Sequence, residues 1–141
     1  MSDLTFASID ESAFITLTSW FNDPELNHRY ARPTRAWLDY VRSKPGVYAW
    51  VVREAGVAVG HVQLDVKPNG IGYIGFYVKP ALRNRGYGKR ILRAFLAREE
   101  VRELRSILGS VEVDNLPSRR CLEAVGFARD GAETVDGDFL L

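Results

Sequence analysis

The sequence predicts one α/β (α+β) domain in which helices flank a central, twisted and mixed β-sheet. Its 141 residues suffice for one domain with a sizeable core. Apolar segments rich in β-forming residues alternate with amphipathic segments of helical period, in the order β-α-α-β-β-β-α-β-α-β-β. Turn signals join the three middle strands, and a helix then separates two strands as in a parallel crossover. We therefore expect residues 1–141 to form a single domain.

A short strand and two helices are predicted before residue 47. Residues 4–7 have the composition of a strand. Asp10 or Ser12 caps a first helix, whose apolar side chains recur at helical spacing, and the Asn-Asp-Pro sequence at 22–24 ends it. Thr34 caps a second helix, which a Lys-Pro-Gly sequence closes.

Three strands of a meander follow, at residues 47–52, 57–66 and 71–78. Residues 54–56 end in Ala-Gly, and residues 67–70 read Lys-Pro-Asn-Gly. Both sequences favour tight turns, because glycine takes the left-handed backbone angles that such turns require. The meander therefore places neighbouring strands side by side in the sheet.

The second half predicts a crossover and a hairpin. A glycine-bearing turn leads into a helix with outward charges and an apolar face. The apolar face consists of Ile91, Leu92, Phe95 and Leu96, and the outward charges of Arg93, Arg98, Glu99 and Arg102. Residues 107–113 form a strand that returns beside residues 71–78, and Pro117 begins a helix that ends near Gly126. The tail, residues 127–141, is interpreted as a hairpin that turns at Asp136-Gly137.

Composition excludes several classes of protein. The formal net charge is +1, which gives no general basic field for DNA or RNA. The one cysteine, Cys121, has no partner for an internal disulfide and agrees with a reducing cytoplasm. We find no signal sequence, no apolar run that could span a membrane and no metal-ligand spacing. We expect a cytoplasmic protein that binds neither nucleic acid nor membrane and needs no metal.

The turn at residues 83–90 has the chemistry of a phosphate site. It joins a predicted strand to a predicted helix, whose first N–H groups have no intrahelical partner and attract negative charge. Gly86 and Gly88 allow close approach of a ligand, and arginine and lysine side chains surround them. The pattern lacks the third glycine of a dinucleotide fingerprint, and it lacks the spacing and hydroxyl of a P-loop.

A second segment, residues 115–127, strengthens this interpretation. Here a strand leads into Asn115, a helix carries Ser118 in its first turn, and Gly126-Phe127 closes it. At these two segments the chain resembles the GCN5-related N-acetyltransferase (GNAT) superfamily. The first is similar to its Arg/Gln-x-x-Gly-x-Gly/Ala motif, and the second to its Asn-x-x-Ser/Ala…Glu-x-x-Gly-Phe motif. Within the superfamily, residues 20–25 look most like the ribosomal-protein N-terminal and aminoglycoside-type enzymes.

The resemblance implies a fold, a co-substrate and a set of binding residues. The fold would be a single GNAT-like domain, and the co-substrate would be acetyl-CoA. Backbone N–H groups of the glycine turn would hold the pyrophosphate, and the preceding strand and Asn115 would bind pantetheine. An N–H of that strand would polarise the thioester carbonyl. The implied binding residues are Phe76, Tyr77, Val78, Arg83, Asn84, Arg85, Gly86, Tyr87, Gly88, Lys89, Asn115 and Ser118.

The resemblance identifies the catalytic residues less well than the binding residues, because the sequence departs from the family pattern at two catalytic positions. Leu122 stands where many members have a catalytic tyrosine, and Tyr73 stands where many have a glutamate. Ser118 is interpreted either as the acid that serves the leaving thiolate or as a hydroxyl that binds helix backbone. The candidates for the base are Glu133 and Glu112, and either is equally interpretable as an ordinary surface carboxylate.

Three functional hypotheses remain open from the sequence. The first is direct attack by a primary amine, in a small molecule or at a peptide N-terminus, on acetyl-CoA in a ternary complex. The second is a non-catalytic acyl-CoA-binding or regulatory module on the same fold, and the third is a different nucleotide-binding protein. The protein would be a monomer or a homodimer, and the strand edge near Phe139 is a candidate dimer surface.

Overall fold

The protein is described by a computed structural model, which covers residues 3–112, 114–130 and 136–140. Within these residues, one sheet has the strand order β1-β2-β3-β4-β5-β7-β6. The strands are β1 (Leu4–Ser8), β2 (Val47–Glu54), β3 (Val57–Val66), β4 (Ile71–Val78), β5 (Ser106–Glu112), β6 (Ala128–Asp130) and β7 (Asp136–Leu140). The helices are α1 (Glu11–Ser19), α2 (Pro24–Arg29), α3 (Arg35–Ser43), α4 (Tyr87–Leu96), α5 (Glu99–Arg102) and α6 (Leu116–Ala124).

The mixed α+β fold class is confirmed. β4 and β5 are parallel, whereas β1 with β2, β5 with β7 and β6 with β7 are antiparallel. The crossover from β4 to β5 passes through α4 and α5, as expected for two parallel strands. The predicted order of the seven strands along the chain is therefore correct.

Side-chain caps begin the helices of the first half. Asp10 accepts from the Ala13 N–H at 2.7 Å and begins α1, and Thr34 accepts from the Trp37 N–H at 3.1 Å and begins α3. The first helix ends before Pro24, as the Asn-Asp-Pro sequence at 22–24 predicts, but the short helix that begins there was not predicted. α1 ends at Ser19, a 3-10 turn follows at Trp20–Asn22, and α2 then begins at Pro24.

The two turns of the meander agree with their predicted chemistry. Ala55 (φ 51°) and Gly56 (φ 82°) both take left-handed conformations between β2 and β3. Gly70 (φ 83°) closes the turn before β4, where its N–H donates to the Lys67 carbonyl oxygen at 3.0 Å.

Two predictions about the second half are corrected. The helix after the glycine turn does not continue through Arg102, because α4 ends at Leu96 and α5 is a separate turn of helix. Asp136-Gly137 is not a turn, since both residues lie in β7 and pair with Glu112 and Val111 of β5.

The dimer surface suggested near Phe139 is also corrected. β7 lies between β5 and β6 in the sheet, so the backbone of Phe139 pairs on both sides, with Gly109 and with Arg129. That strand is therefore not an exposed edge.

The described residues form two compact units. One contains the residues up to Gln63 together with Phe76–Tyr87, and the other contains Leu64–Gly75 together with the residues from Gly88 onward. Each unit buries apolar side chains of its own. Ile9, Ala13, Leu17, Trp20, Phe21, Leu26, Leu38, Val41, Ala49, Val51 and Tyr77 form a core cluster in the first unit. Leu64, Ile74, Ile91, Leu92, Phe95, Val101, Ile107, Val111, Leu122 and Phe127 are buried in the second.

Candidate functional site

The turn that follows β4 has an unusual backbone course. A 3-10 turn at Pro80–Leu82 comes first, and the Arg83 N–H donates to the first carbonyl oxygen of that turn at 3.3 Å. Asn84 (φ 62°) and Gly86 (φ 82°) then take left-handed conformations on either side of Arg85. Alternation of backbone conformations of this kind makes successive N–H groups converge into an anion-binding concavity.

The N–H groups of this turn remain available for a ligand. Among the described residues, none accepts a hydrogen bond from the N–H groups of residues 84–86, or from those of Gly88 and Lys89 in the first turn of α4. Residues 84–86 and Lys89 are exposed, whereas Gly88 is buried. The positive end of the α4 dipole adds to the attraction for a negative charge. We call these N–H groups, those of residues 84–86, Gly88 and Lys89, the cradle.

The cations around the cradle divide into two kinds. The Arg83 guanidinium donates to the Asp23 carboxylate at 2.6 Å, and the same carboxylate oxygen accepts from the Leu26 N–H at 2.9 Å at the start of α2. The bond from Arg83, followed by that from Leu26, lowers the pKa of Asp23. Arg85 and Lys89, by contrast, are exposed. Arg83 therefore fixes the turn to α2, and Arg85 and Lys89 are the cations available to phosphate.

A second contact fixes the other end of the turn. The Tyr87 hydroxyl donates to the Glu54 carboxylate at the end of β2. Tyr87 and Arg83, both predicted to bind the co-substrate, thus carry side-chain bonds to acidic residues elsewhere in the first unit. The sequence motif predicts where Arg83 and Tyr87 lie in the turn. It does not predict their acidic partners, which are distant in the sequence.

The last residues of β4 lead into the cradle. The Phe76 carbonyl oxygen accepts from the Tyr30 hydroxyl at 2.5 Å, and the Lys79 N–H donates to the Val59 carbonyl oxygen at 2.8 Å. The side chains of Phe76 and Tyr77 are both buried, and that of Val78 is half-buried. A ligand along this stretch would therefore meet the backbone of Phe76 and Tyr77 rather than their side chains.

An aromatic cluster surrounds the side chain of Tyr77. Its ring centroid lies 6.2 Å from Trp20, 5.6 Å from Phe21, 5.2 Å from Tyr30 and 4.9 Å from His61. Burial raises the pKa of the Tyr77 phenol, which keeps it neutral. The cluster packs aromatic side chains against Tyr77 at the end of β4. Only the helical spacing of Trp20 and Phe21 indicated it in advance.

His61 is the buried polar member of this cluster. Its Nδ1 donates to the Trp50 carbonyl oxygen at 2.9 Å, because a carbonyl oxygen can only accept. Its ring lies 5.6 Å from that of Trp37, whose indole N–H donates to Gln63 at 2.9 Å. Burial lowers the pKa of His61 to about 4, so the imidazole is neutral at physiological pH.

The second predicted motif begins α6. Asn115 is the N-cap, and its side-chain oxygen accepts from the Ser118 N–H at 3.5 Å. Ser118 is half-buried in the first turn, as its spacing predicts. Leu122, which stands in place of the family tyrosine, is fully buried. A side chain there serves packing rather than proton transfer.

The other residues considered for catalysis differ in their burial. Glu112 is half-buried at the end of β5, and Glu133 lies outside the described residues. Tyr73, in place of the family glutamate, is 40% exposed on β4. Burial raises the pKa of the Cys121 thiol, which disfavours a thiolate nucleophile.

Comparison with known proteins places these features in a family. The model of the acetyltransferase (GNAT) family matches residues 14–127. The uncharacterized N-acetyltransferase YfmK of Bacillus subtilis is 35% identical over 68 residues, which is 48% of this chain and 46% of that protein. The match thus spans about half of the length of this relative.

Solved structures share the fold over the whole chain. Aminoglycoside acetyltransferase AAC(6')-Ib in complex with coenzyme A has a TM-score of 0.81 at 22% identity and covers 99% of this chain and 94% of its own. Spermidine N-acetyltransferase from Vibrio cholerae in complex with CoA and spermine has a TM-score of 0.81 at 15% identity, with coverage of 99% and 95%.

The described residues contain neither a membrane-spanning helix nor a cluster of metal-ligating side chains. No helix there is both long enough and apolar enough to span a membrane. In the same residues, no three His, Cys, Asp or Glu side chains come together as a metal site would require.

Proposed function

Because the chain belongs to the GNAT acetyltransferase family, we propose that it transfers an acetyl group from acetyl-CoA to a primary amine. The observation that carries the proposal is the cradle, where N–H groups without an acceptor meet the start of α4. This arrangement fits a pyrophosphate, since it supplies several donors and a positive helix end at one place. Exposed Arg85 and Lys89 would add charge to the nucleotide phosphates.

Pantetheine would extend from the cradle along the backbone of Phe76, Tyr77 and Val78, as an added strand. An N–H of that stretch would bond the thioester carbonyl oxygen and stabilise the negative charge that develops on it. Asn115 would bond pantetheine from the start of α6. The aromatic side chains packed around Tyr77 support this assignment, because they hold the backbone at the end of β4 in place.

The reaction is a direct attack in a ternary complex. A base, Glu112 or Glu133, removes a proton from the ammonium group, because only a free amine has the electron pair for attack. The amine nitrogen forms a bond to the acetyl carbon and gives up its second proton, and the carbon–sulfur bond breaks. The departing thiolate takes a proton, for which Ser118 is the candidate donor, and the proton released by the nitrogen restores the Ser118 hydroxyl. The products are an acetylated amine and free CoA.

The acceptor is proposed to be an amine on a small molecule or at a peptide N-terminus. The names of the fold neighbours support this class, since one is an aminoglycoside acetyltransferase and another was solved with spermine. An alternative hypothesis is a non-catalytic acyl-CoA-binding module. One observation favours it: Leu122, which stands in place of the family tyrosine, is fully buried. Turnover with any amine, lowered by Ser118→Ala or Glu133→Gln, would exclude that hypothesis.

A matched pair of glycine variants tests the cradle. Gly56 and Gly86 share a φ of +82°, and in both cases no described atom lies within 4 Å of an added Cβ. Alanine at either position should therefore cost about the same left-handed strain, roughly 1 kcal/mol of unfolding free energy. Only Gly86→Ala should weaken binding of free CoA and acetyl-CoA, measured by calorimetric titration.

The same samples then go into a thiol-release assay with a panel of amines. Binding together with turnover supports the transferase. Equal CoA affinity of Gly86→Ala and Gly56→Ala would contradict the cradle assignment, and failure of the unmodified protein to bind any CoA species would overturn the proposed function.

A further inference from the structure

Three glycines lie in β4 and β5, two within the region where these strands pair and one just beyond it. An added Cβ on Gly72 would lie 2.7 Å from Leu104 Cδ1 and 2.8 Å from Leu64 Cδ1. One on Gly109 would lie 3.4 Å from atoms of Ile74 and Leu122. A larger residue at Gly72 would require the ends of the two leucine side chains to move, and an alanine at Gly109 would be in van der Waals contact with its neighbours. Both positions therefore face side chains of the packed interior.

Gly75 has no such neighbours. Among the described residues, no atom lies within 4 Å of the position of its Cβ. Its φ is not positive either, so the backbone does not require glycine. Glycine inside a strand weakens the strand, because it loses more conformational freedom on folding than other residues and has no side chain to pack. In a strand, such a glycine often marks a bulge, a tight bend, or the close approach of a ligand or another backbone.

The pairing of β4 with β5 locates this open space. The register runs from Ile71 opposite Ser106 to Ile74 opposite Gly109. Gly75 is the first residue of β4 beyond the register, whereas β5 continues its pairing with β7 through Glu112. Gly75 therefore lies where the parallel pairing ends, and its open Cβ position faces one side of the sheet at that point.

We propose that Gly75 is left without a side chain to make room for the acyl group of the thioester, and that it sets the largest acyl chain the protein transfers. This rests on the proposed function, in which pantetheine follows Val78, Tyr77 and Phe76 away from the cradle. The next residue in that direction is Gly75, one strand residue or about 3.3 Å further. The group that follows the pantetheine sulfur is the acyl group.

The proposal is tested with acetyl-, propionyl- and butyryl-CoA on Gly75→Ala and Gly75→Val. A single methylene in an apolar pocket changes kcat/KM by roughly 10- to 200-fold. Gly75→Ala should therefore lower kcat/KM for propionyl- and butyryl-CoA at least tenfold more than for acetyl-CoA. Gly75→Val should lower it for acetyl-CoA as well. Free CoA, which has no acyl group, should bind both variants as it binds the unmodified protein.

Ile74→Val is the matched control, because strand alternation directs the Ile74 side chain to the opposite face of β4. It should leave the acyl preference unchanged. The melting temperature of Gly75→Ala should equal or exceed that of the unmodified protein, and Gly75→Ser offers a second small side chain for the same test.

Three outcomes would overturn the role of Gly75: an acyl preference unchanged in Gly75→Ala, an equal loss of free CoA binding, or a change confined to the KM of the amine. These outcomes are distinct from failure of the proposed function, in which the unmodified protein itself would show neither CoA binding nor turnover.

Discussion

The ion pair between Arg83 and Asp23 gives opposite predictions for a positioning role and for a direct phosphate contact. The Arg83 side chain is 36% exposed and that of Asp23 is 24% exposed, and their nitrogen–oxygen distance is 2.6 Å. If Arg83 positions the cradle, neutralising either partner should weaken CoA binding. If Arg83 instead bonds phosphate in the complex, Asp23 competes for it, and Asp23→Asn should strengthen CoA binding.

The expected magnitudes follow from the contacts. A partly exposed pair of this kind stabilises the fold by about 1 kcal/mol at most. Asp23 also caps α2 through the Leu26 N–H, which contributes about 1 kcal/mol more. Asp23→Asn keeps the cap and should lose about 1 kcal/mol, whereas Asp23→Ala loses both contacts and about 2 kcal/mol.

The double variant Asp23→Asn/Arg83→Gln should be no less stable than either single variant, because both remove the same interaction. The loss of the pair should weaken CoA binding by about fivefold, if its 1 kcal/mol is needed to order the turn. Urea unfolding gives the stabilities, and calorimetry at low and high salt gives the affinities. Lys89→Gln is the contrasting variant, whose effect should shrink at high salt. Tighter CoA binding by Asp23→Asn would refute the positioning role.

Three further predictions concern stability. His61, with a folded pKa of about 4 against 6.5 unfolded, takes up its proton on unfolding; stability should therefore fall as pH drops below 6.5, by about 2 kcal/mol at pH 5, and His61→Phe should remove that loss. Thr34→Ala removes the cap of α3 and should cost about 1 kcal/mol in urea unfolding, whereas Thr34→Asp should cost little. Leu17→Ala should cost about 2–5 kcal/mol, because this side chain is fully buried, whereas Ile15→Ala at a 63% exposed position should cost far less. A loss at Ile15 as large as that at Leu17 would contradict the assigned core.

Local signals made most elements predictable from the sequence. Thr34 and Asp10 are caps because a side-chain oxygen precedes a helical segment by the spacing that reaches its first N–H groups. Ala55-Gly56 is a turn because these residues separate two strands that need left-handed angles between them. In each case the deciding interaction lies within a few residues of the chain.

Long-range pairing was not predictable in the same way. Asp23 looked like the end of one helix, although an Asp-Pro pair is equally a start signal, and six residues are too few to show a helical period. Asp136-Gly137 has turn chemistry, but pairing with β5 holds it in a strand. The Arg83 bond to Asp23 joins residues 60 positions apart, so no local pattern contains it.

The loss of the family tyrosine affects the two proton transfers unequally. A thiol has a pKa near 8.5, so its thiolate leaves near neutral pH without strong help, whereas an amine with a pKa near 10 must lose a proton before it attacks. The base therefore contributes more to the rate than the acid does, typically about 10²–10⁴-fold for one positioned group. Because Leu122 is fully buried, Ser118 is the candidate acid. We expect it to contribute less to the rate than the base does. Ser118→Ala should accordingly lower kcat less than removal of the base, Glu112→Gln or Glu133→Gln, does. If kcat fell more in Ser118→Ala than in either glutamate variant, with CoA affinity unchanged, the base would not be the larger contributor to the rate. Proton donation to the thiolate would then be the harder step.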